Sequence, residues 1–216
     1  MIGTKALENA GFKNVTLEPV TSALVGEIAS RGLTVGRLAF PRYGTLFADL
    51  AAEALRGGQA GTADSPHAMA LLFALDRHAA LGELSTLAGG NDVVLLDRYV
   101  ASNAAYTAAR VGADRAAEVV EWIGELEFSR FGLPVPDLQI LLDTPVALAA
   151  ERAGSREADD PGRTRDRYER DSALQADTSR AYRQLAETSW RSPWKVLGSE
   201  PDVRELADVV VGLSSS

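Results

Sequence analysis

Blocks of apolar residues recur along this chain at two spacings, which predict strands and helices in alternation. Continuous apolar runs of strand length predict the strands, which are Leu33–Phe40, Val93–Leu96, Asp137–Asp143 and Trp194–Leu197. Apolar residues at helical spacing predict the helices, which are Val20–Arg31, Leu46–Leu55, Ala68–Leu87, Ser102–Val111, Ala113–Phe131, Pro145–Arg156, Ser172–Ser189 and Val203–Leu213. This alternation predicts an α/β fold, with a parallel sheet that carries helices on both faces, in a single domain over residues 1–216.

The first twenty residues follow neither spacing clearly. The segment Ala6–Ala10 predicts a helix, and Gly11 followed by Phe12 resembles a helix C-cap with its hydrophobic follower. Asn14–Leu17 predicts the beginning of a strand, which Pro19 then interrupts.

Two predicted strands end abruptly in charged and aromatic residues. Asp97, Arg98 and Tyr99 follow Val93–Leu96, and Pro41-Arg42-Tyr43 follows the strand that ends at Phe40. Ligands of open α/β sheets bind at the carboxyl ends of the strands. A guanidinium suits phosphate oxygens, and a neighbouring carboxylate suits Mg²⁺ or its water. On this local pattern, a phosphate site and a surface ion pair are equally good interpretations.

The predicted helix Ala68–Leu87 carries Phe73 and Arg77, which are four residues apart and therefore share a helical face. Taken alone, core packing for Phe73 and a solvated salt bridge for Arg77 are the better interpretations.

A run dense in both signs of charge extends from Arg156 to Asp171. Such runs are usually solvated faces. Arginines here surround a Pro161-Gly162 break, which favours a lid over a phosphate chain at about residues 150–171. These arginines are Arg152, Arg156, Arg163, Arg165 and Arg167.

Composition narrows the function classes. The chain has 216 residues, 46% of them hydrophobic, a net charge of −8, no cysteine and two histidines. A disulfide framework, a thiolate metal site and a cysteine nucleophile are excluded. The negative charge disfavours nucleic acid and anionic lipid as partners, and no apolar run is long enough to span a membrane. We expect a cytoplasmic protein without a signal peptide.

From about Ala23 to the C-terminus the sequence resembles the thymidylate kinase family, most closely its actinobacterial members. The matching stretches occur in the right order, and they are LAFPRYG at Leu38–Gly44, ALLFALDR at Ala70–Arg77, LLDRYVASNAAY at Leu95–Tyr106, EFSRFGLPVPD at Glu127–Asp137 and DPGRTRDRYERD at Asp160–Asp171. The resemblance implies a nucleoside monophosphate kinase fold and transfer of the ATP γ-phosphoryl group to dTMP, with Mg²⁺. It also implies a homodimer, through the helix that bears Phe73 or the helix that begins at Ala113.

The resemblance assigns roles on the dTMP side. Arg98 and Arg42 would hold the acceptor phosphate, and Asp97 would order the metal. Phe73 would stack on thymine, Arg77 would reach a thymine carbonyl, and Asn103 would reach the base edge. The residues that complete the pocket are Tyr106 near the sugar and Phe40, Pro41 and Tyr43 in the wall.

The same resemblance makes the predicted lid part of the catalytic machinery. Arg152 and Arg156 would cross the phosphates as catalytic arginines, followed by Arg163 on the ATP side and Arg165. The lid residues nearest the substrate are Asp166, Tyr168 and Glu169, of which Glu169 would also help to place the metal.

The chain departs from the family at its phosphate-binding loop, which has the form GxxxxGK[ST]. Gly11, Lys13 and Thr16 remain from this pattern as candidate ATP-binding residues, while Phe12 occupies the glycine position next to the lysine. Two alternatives therefore stay open beside the thymidylate kinase: a non-catalytic thymidine-nucleotide-binding protein on the same scaffold, and a kinase for another nucleoside monophosphate.

Overall fold

The protein contains a five-stranded, all-parallel sheet in the order β2-β3-β1-β4-β5. The computed structural model describes residues 5–10, 17–57, 61–143 and 171–214. The strands are β1 (Lys5–Ala10), β2 (Val35–Ala39), β3 (Val93–Asp97), β4 (Leu138–Leu142) and β5 (Trp194–Leu197). Parallel strands joined by helices are what the sequence alternation predicts.

Helices connect and cover these strands. In the described part of the chain they are α1 (Leu17–Ser30), α2 (Leu46–Leu55), α3 (Pro66–Ala79), α4 (Leu81–Gly90), α5 (Val100–Val111), α6 (Ala113–Gly124), a π-helical segment (Glu125–Arg130), α7 (Ser172–Glu187) and α8 (Val203–Ser214). None of the described helices is long and apolar enough to cross a membrane.

Both faces of the sheet are buried, which explains the continuous apolar run in β3. Val93 and Leu95 pack with α1 and α8 on one face, while Val94 and Leu96 pack with α5 and its neighbours on the other. Successive side chains of a strand point to opposite faces, so a strand covered on both sides needs apolar residues throughout. The predicted α/β class with helices on both faces is confirmed.

The structure differs most from the sequence prediction near the N-terminus, where Ala6–Ala10 is a strand and not a helix. β1 occupies the centre of the sheet between β3 and β4, with Leu7 in register with Leu95 and Leu138. Two flanking strands supply a complete hydrogen-bonding ladder, and this tertiary pairing overrides the helical propensity of the segment. Leu17, which the sequence places at the beginning of a strand with Asn14, is instead the first residue of α1.

Two predicted helices are each divided. The segment Ala68–Leu87 is split at Ala80, which caps α3 and precedes α4. The segment Ala113–Phe131 changes from α-helix to π-helix at Glu125. A π-helical turn often marks a functional site, and in this chain it carries Glu127.

The carboxyl ends of three neighbouring strands meet at one edge of the sheet. Asp97 of β3 is in register with Asn9 of β1 and Ala39 of β2, and the backbone N–H of Phe40 donates to the carbonyl oxygen of Asp97 at 2.9 Å. Residues 11–16 join the end of β1 to the beginning of α1. They lie outside the described residues, as do the predicted helix Pro145–Arg156 and nearly all of the predicted lid.

Candidate functional site

A pocket opens where β2 and β3 end, between α3 and α5. It holds about 660 Å³ of empty space, counted to its open mouth. Its lining includes most of the predicted dTMP-side residues, namely Phe40, Pro41, Tyr43, Phe73, Arg77, Arg98, Asn103 and Tyr106. Residues from three separate stretches of the sequence therefore converge on one site, and its size is typical of a small-molecule pocket.

Arg98 lies between the end of β3 and the beginning of α5 with a φ of 61°, in the left-handed region. This conformation is costly for a residue with a Cβ and, in folded proteins, concentrates at functional sites. Its guanidinium carbon lies 5.3 Å from the ring centroid of Tyr106. The Nη1 atom is buried and makes no hydrogen bond to any residue that the structure describes.

Charge is retained on Arg98 despite its surroundings. Burial acts to lower its pKa, but the nearby Tyr106, Tyr182, Asp97 and Tyr43 raise the pKa above the usual arginine range. Arg98 thus presents a permanent cation with unused donor capacity to the pocket.

Helix α3 supplies one of the aromatic rings and one of the arginines of the pocket. Phe73 and Arg77 share one helical face, as predicted, and both line the cavity. The Arg77 guanidinium is buried against Glu127: Nε donates to Oε2 at 2.5 Å and Nη2 donates to Oε1 at 2.8 Å. The solvated salt bridge that the sequence favoured for Arg77 alone is therefore wrong, because both partners are almost fully buried.

Arg42 is engaged by carboxylates beside the pocket. Its backbone N–H and Nε donate to the Asp76 carboxylate at 2.9 and 3.1 Å, and Nη1 donates to Glu83 at 3.2 Å. Asp76 is 1% exposed and also accepts from the hydroxyl of Thr45. Arg42 and Asp97 are not among the lining side chains, although both stand at strand ends next to it.

Several residues of the pocket are absent from the sequence prediction. On α5, Ser102, Thr107 and Arg110 line the cavity together with Asn103 and Tyr106. Their positions repeat at helical spacing, so extending the face that contains Asn103 would have found them. Asp76 and Glu127 had no comparable signal, because their arginine partners are 34 and 50 residues away in the chain.

No group of three or more metal-binding side chains occurs among residues that the structure describes. Asp97 remains a described carboxylate that could order a hydrated metal ion at the strand edge. Several predicted residues lie outside the described part of the chain, and these are Gly11, Lys13, Thr16, Arg152, Arg156, Arg163, Asp166, Tyr168 and Glu169.

Comparison with known proteins identifies the family to which the chain belongs. A family profile described as thymidylate kinase matches residues 19–208. Thymidylate kinases of two Mycobacterium tuberculosis strains are each 45% identical over 208 residues, which is 96% of this chain and 95% of theirs. A probable thymidylate kinase 1 from Saccharolobus solfataricus is 38% identical over 89 residues, 41% of this chain and 42% of that protein.

A solved structure supports the same fold. The thymidylate kinase of Candida albicans superimposes with a TM-score of 0.67 at 18% identity, and the match covers 99% of this chain and 92% of that one. Since a likeness at this identity speaks only for the fold, the assignment rests on the profile and the mycobacterial relatives. The chain belongs to the thymidylate kinase family.

Proposed function

We propose that this chain transfers the γ-phosphoryl group of ATP to dTMP, giving dTDP and ADP. Family membership supports the reaction. The observation that carries the proposal for this pocket is the buried Nη1 of Arg98, which has no hydrogen-bond partner among the described residues. A buried guanidinium with an unused donor, in a pocket lined by aromatic rings, suits a phosphate attached to a ring-bearing ligand.

In this proposal the acceptor pocket holds dTMP by both ends. Arg98 donates to the phosphate, and Phe73 stacks on the base. Arg77 donates to a base carbonyl, and Asn103 bonds the base edge. The remaining predicted contacts are Tyr106 beside the sugar and Phe40, Pro41 and Tyr43 in the wall, all of them pocket-lining residues.

Arg42 takes a less direct part. Its guanidinium is already hydrogen-bonded to Asp76 and Glu83. We assign to Arg42 the task of completing the positive field around the acceptor phosphate, while Arg98 makes the primary contact. Two arginines near one phosphate reduce its repulsion from the incoming ATP phosphates.

The chemistry requires in-line attack by a phosphate oxygen of dTMP on the γ-phosphorus of ATP, with breakage of the bond to the ADP oxygen. No covalent bond to the protein forms. Arg98 and Phe73 fix the acceptor in line, which lowers the entropic part of the barrier. Asp97 suits Mg²⁺, since this ion is usually bound through one or two carboxylates and substrate phosphates, without a cage of protein ligands. When bound, Mg²⁺ supplies charge neutralisation at the transferring phosphates.

The residues proposed to bind ATP lie outside the described part of the chain. Gly11, Lys13 and Thr16 stand between the central strand β1 and helix α1, which is where a phosphate-binding loop belongs in this class of fold. Arg152, Arg156 and Arg163 would cross the phosphates from the lid, with Asp166, Tyr168 and Glu169 toward the substrate. The non-catalytic alternative rests on the altered loop at residues 11–16, whereas the family profile and the mycobacterial relatives support the kinase reaction.

A homodimer in the cytoplasm completes the proposal. Sedimentation of the purified chain at several concentrations tests the dimer, and fractionation of the producing cell tests the location. A chain that sediments as a monomer at every concentration would contradict the proposed homodimer.

A coupled assay of ADP release tests the reaction. The purified chain is given ATP, Mg²⁺ and dTMP, and the product is identified as dTDP by chromatography. We expect turnover that depends on dTMP, a strong loss in Arg98→Ala, and wild-type rates in Arg180→Ala. Arg180 is the matched control, because its guanidinium is exposed and paired locally with Asp177.

The outcome that contradicts the proposal is folded protein without dTMP-dependent ADP release. Faster turnover of another nucleoside monophosphate under the same conditions would instead favour the alternative substrate.

A further inference from the structure

Glu127 connects the two pocket residues that are proposed to contact the base. It is 0% exposed and lies on the π-helical segment Glu125–Arg130. Its carboxylate accepts two hydrogen bonds from Arg77 and a third, at 2.8 Å, from Nδ2 of Asn103. One buried anion therefore holds side chains from α3 and α5 at the same time.

These contacts fix the orientation of the Asn103 amide. Its Nδ2 atom donates to Glu127 and to the carbonyl oxygen of Ala70 at 3.0 Å. Both partners are acceptors only, so the two N–H groups are used and the amide cannot be flipped without losing both bonds. The hydroxyl oxygen of Thr107 lies 3.5 Å from Oδ1 of Asn103, at the outer limit of a hydrogen bond. Asn103 therefore offers an acceptor to a ligand.

Arg77 offers the complementary group. A guanidinium has donors and no acceptor, and its pairing with Glu127 on the fully buried side sets the plane in which it meets the cavity. The pair is also neutral overall, which makes burial of the arginine tolerable. Without Glu127, the Arg77 cation would lose this buried anion, and the Asn103 amide would keep only one of the two acceptors that orient it, the carbonyl oxygen of Ala70.

We infer that Glu127 is a positioning residue for base selection, because its carboxylate fixes Arg77 as a donor and Asn103 as an acceptor at the base end of the pocket. This inference rests on the proposed function. The arrangement selects a base edge that carries a carbonyl next to an N–H, as an imide does. It disfavours a base edge with an amino group next to an unprotonated ring nitrogen, as in cytosine.

The substitution Glu127→Gln tests this inference. Glutamine keeps the shape, but it removes the negative charge that pairs with Arg77, and its amide can donate as well as accept, so it orients the Asn103 amide less strictly than the carboxylate does. We expect KM for dTMP to rise about tenfold while kcat changes less than about threefold. The reason is that the contacts with the base stabilise the bound substrate and the transition state equally. The ratio of kcat/KM for dTMP to that for dCMP should fall by about tenfold or more.

Glu125→Gln is the matched control. Glu125 makes the same kind of carboxylate contact two residues earlier, but on the surface, where it pairs with Arg130 at 2.9 Å. We expect wild-type kinetics and base preference from this variant. A folded Glu127→Gln enzyme with the wild-type KM and the wild-type dTMP to dCMP ratio would overturn the inference.

A measurement on the wild-type chain tests whether Arg77 and Asn103 are held in place before dTMP binds, and it applies even if Glu127→Gln does not fold. In ¹⁵N-resolved NMR spectra of the free protein, the Arg77 Nε–H and Asn103 amide signals should be sharp and protected from exchange before dTMP is added. Signals that are averaged in the free protein and sharpen only with dTMP would mean that the ligand, not Glu127, orders these side chains. An inactive wild-type chain would refute the proposed function and leave this spectroscopic test intact.

Discussion

The left-handed backbone of Arg98 can be tested separately from its guanidinium. Arg98→Ala and Arg98→Gly both remove the side-chain cation, its contact with Tyr106 and its attraction to Asp97. They differ in one respect: alanine keeps a Cβ at a φ of 61° and glycine does not. The stability difference between the two variants therefore reports the backbone strain, reduced by the greater chain entropy that glycine loses on folding.

The magnitude follows from two opposing effects. A Cβ in the left-handed region costs about 1–2 kcal/mol, while glycine loses about 0.5–1 kcal/mol more in chain entropy on folding. We expect Arg98→Gly to be more stable than Arg98→Ala by about 1 kcal/mol, which corresponds to about 3 °C in Tm for a chain of this size. Urea unfolding followed by circular dichroism measures the difference.

Activity should not distinguish the two variants. Both lose charge-assisted hydrogen bonds to the acceptor phosphate, and two such bonds at about 1.5 kcal/mol each correspond to a loss of about 100-fold in kcat/KM. An Arg98→Gly variant that is less stable than Arg98→Ala would refute the strain argument. Retention of more than about a tenth of wild-type kcat/KM in either variant would refute the role of Arg98 in phosphate binding.

Three further substitutions test other parts of the molecule. Phe73→Ala should raise KM for dTMP about tenfold by removing the stacking surface, as measured by the coupled assay. Asp76→Asn should lower the free energy of unfolding by about 2 kcal/mol, because the buried anion that Arg42 pairs with is lost; unchanged urea unfolding would contradict this. Asp92→Asn should reduce Tm at neutral pH, since hydrogen bonds from the backbone N–H and hydroxyl of Thr34 lower the pKa of Asp92. This stabilisation is lost as the pH falls below about 4. The Tm of the wild-type chain and the Tm of Asp92→Asn should therefore converge at such pH values.

Much of the fold could be predicted because its elements carry their own periodicity. The strand β3 is buried on both faces, so four consecutive apolar residues mark it without reference to the rest of the chain. Helix α2 and strand β5 begin and end at the residues that the sequence indicates. When the apolar pattern of a segment is itself enough to indicate a strand or a helix, a short stretch of sequence predicts that element.

The candidate pocket was predictable to the extent that its residues belong to strand ends and single helical faces. Phe73 and Arg77 share such a face, and Arg98 directly follows β3. Their assignment to a nucleotide came from the family resemblance and not from the spacing itself. The role of Arg42 was less accessible, because its guanidinium is held by Asp76 on α3, which no local pattern links to it.

By itself, therefore, the sequence determined the alternation of strands and helices, the double-sided burial of β3 and the collection of arginines and aromatic rings at strand ends. Tertiary structure alone decided that Lys5–Ala10 is the central strand, since its form depends on hydrogen bonds to β3 and β4 and not on its own residues. It also decided the pairing of Arg77 and Asn103 with Glu127. Both depend on segments that are far apart in the chain and meet only when the sheet and its helices have assembled.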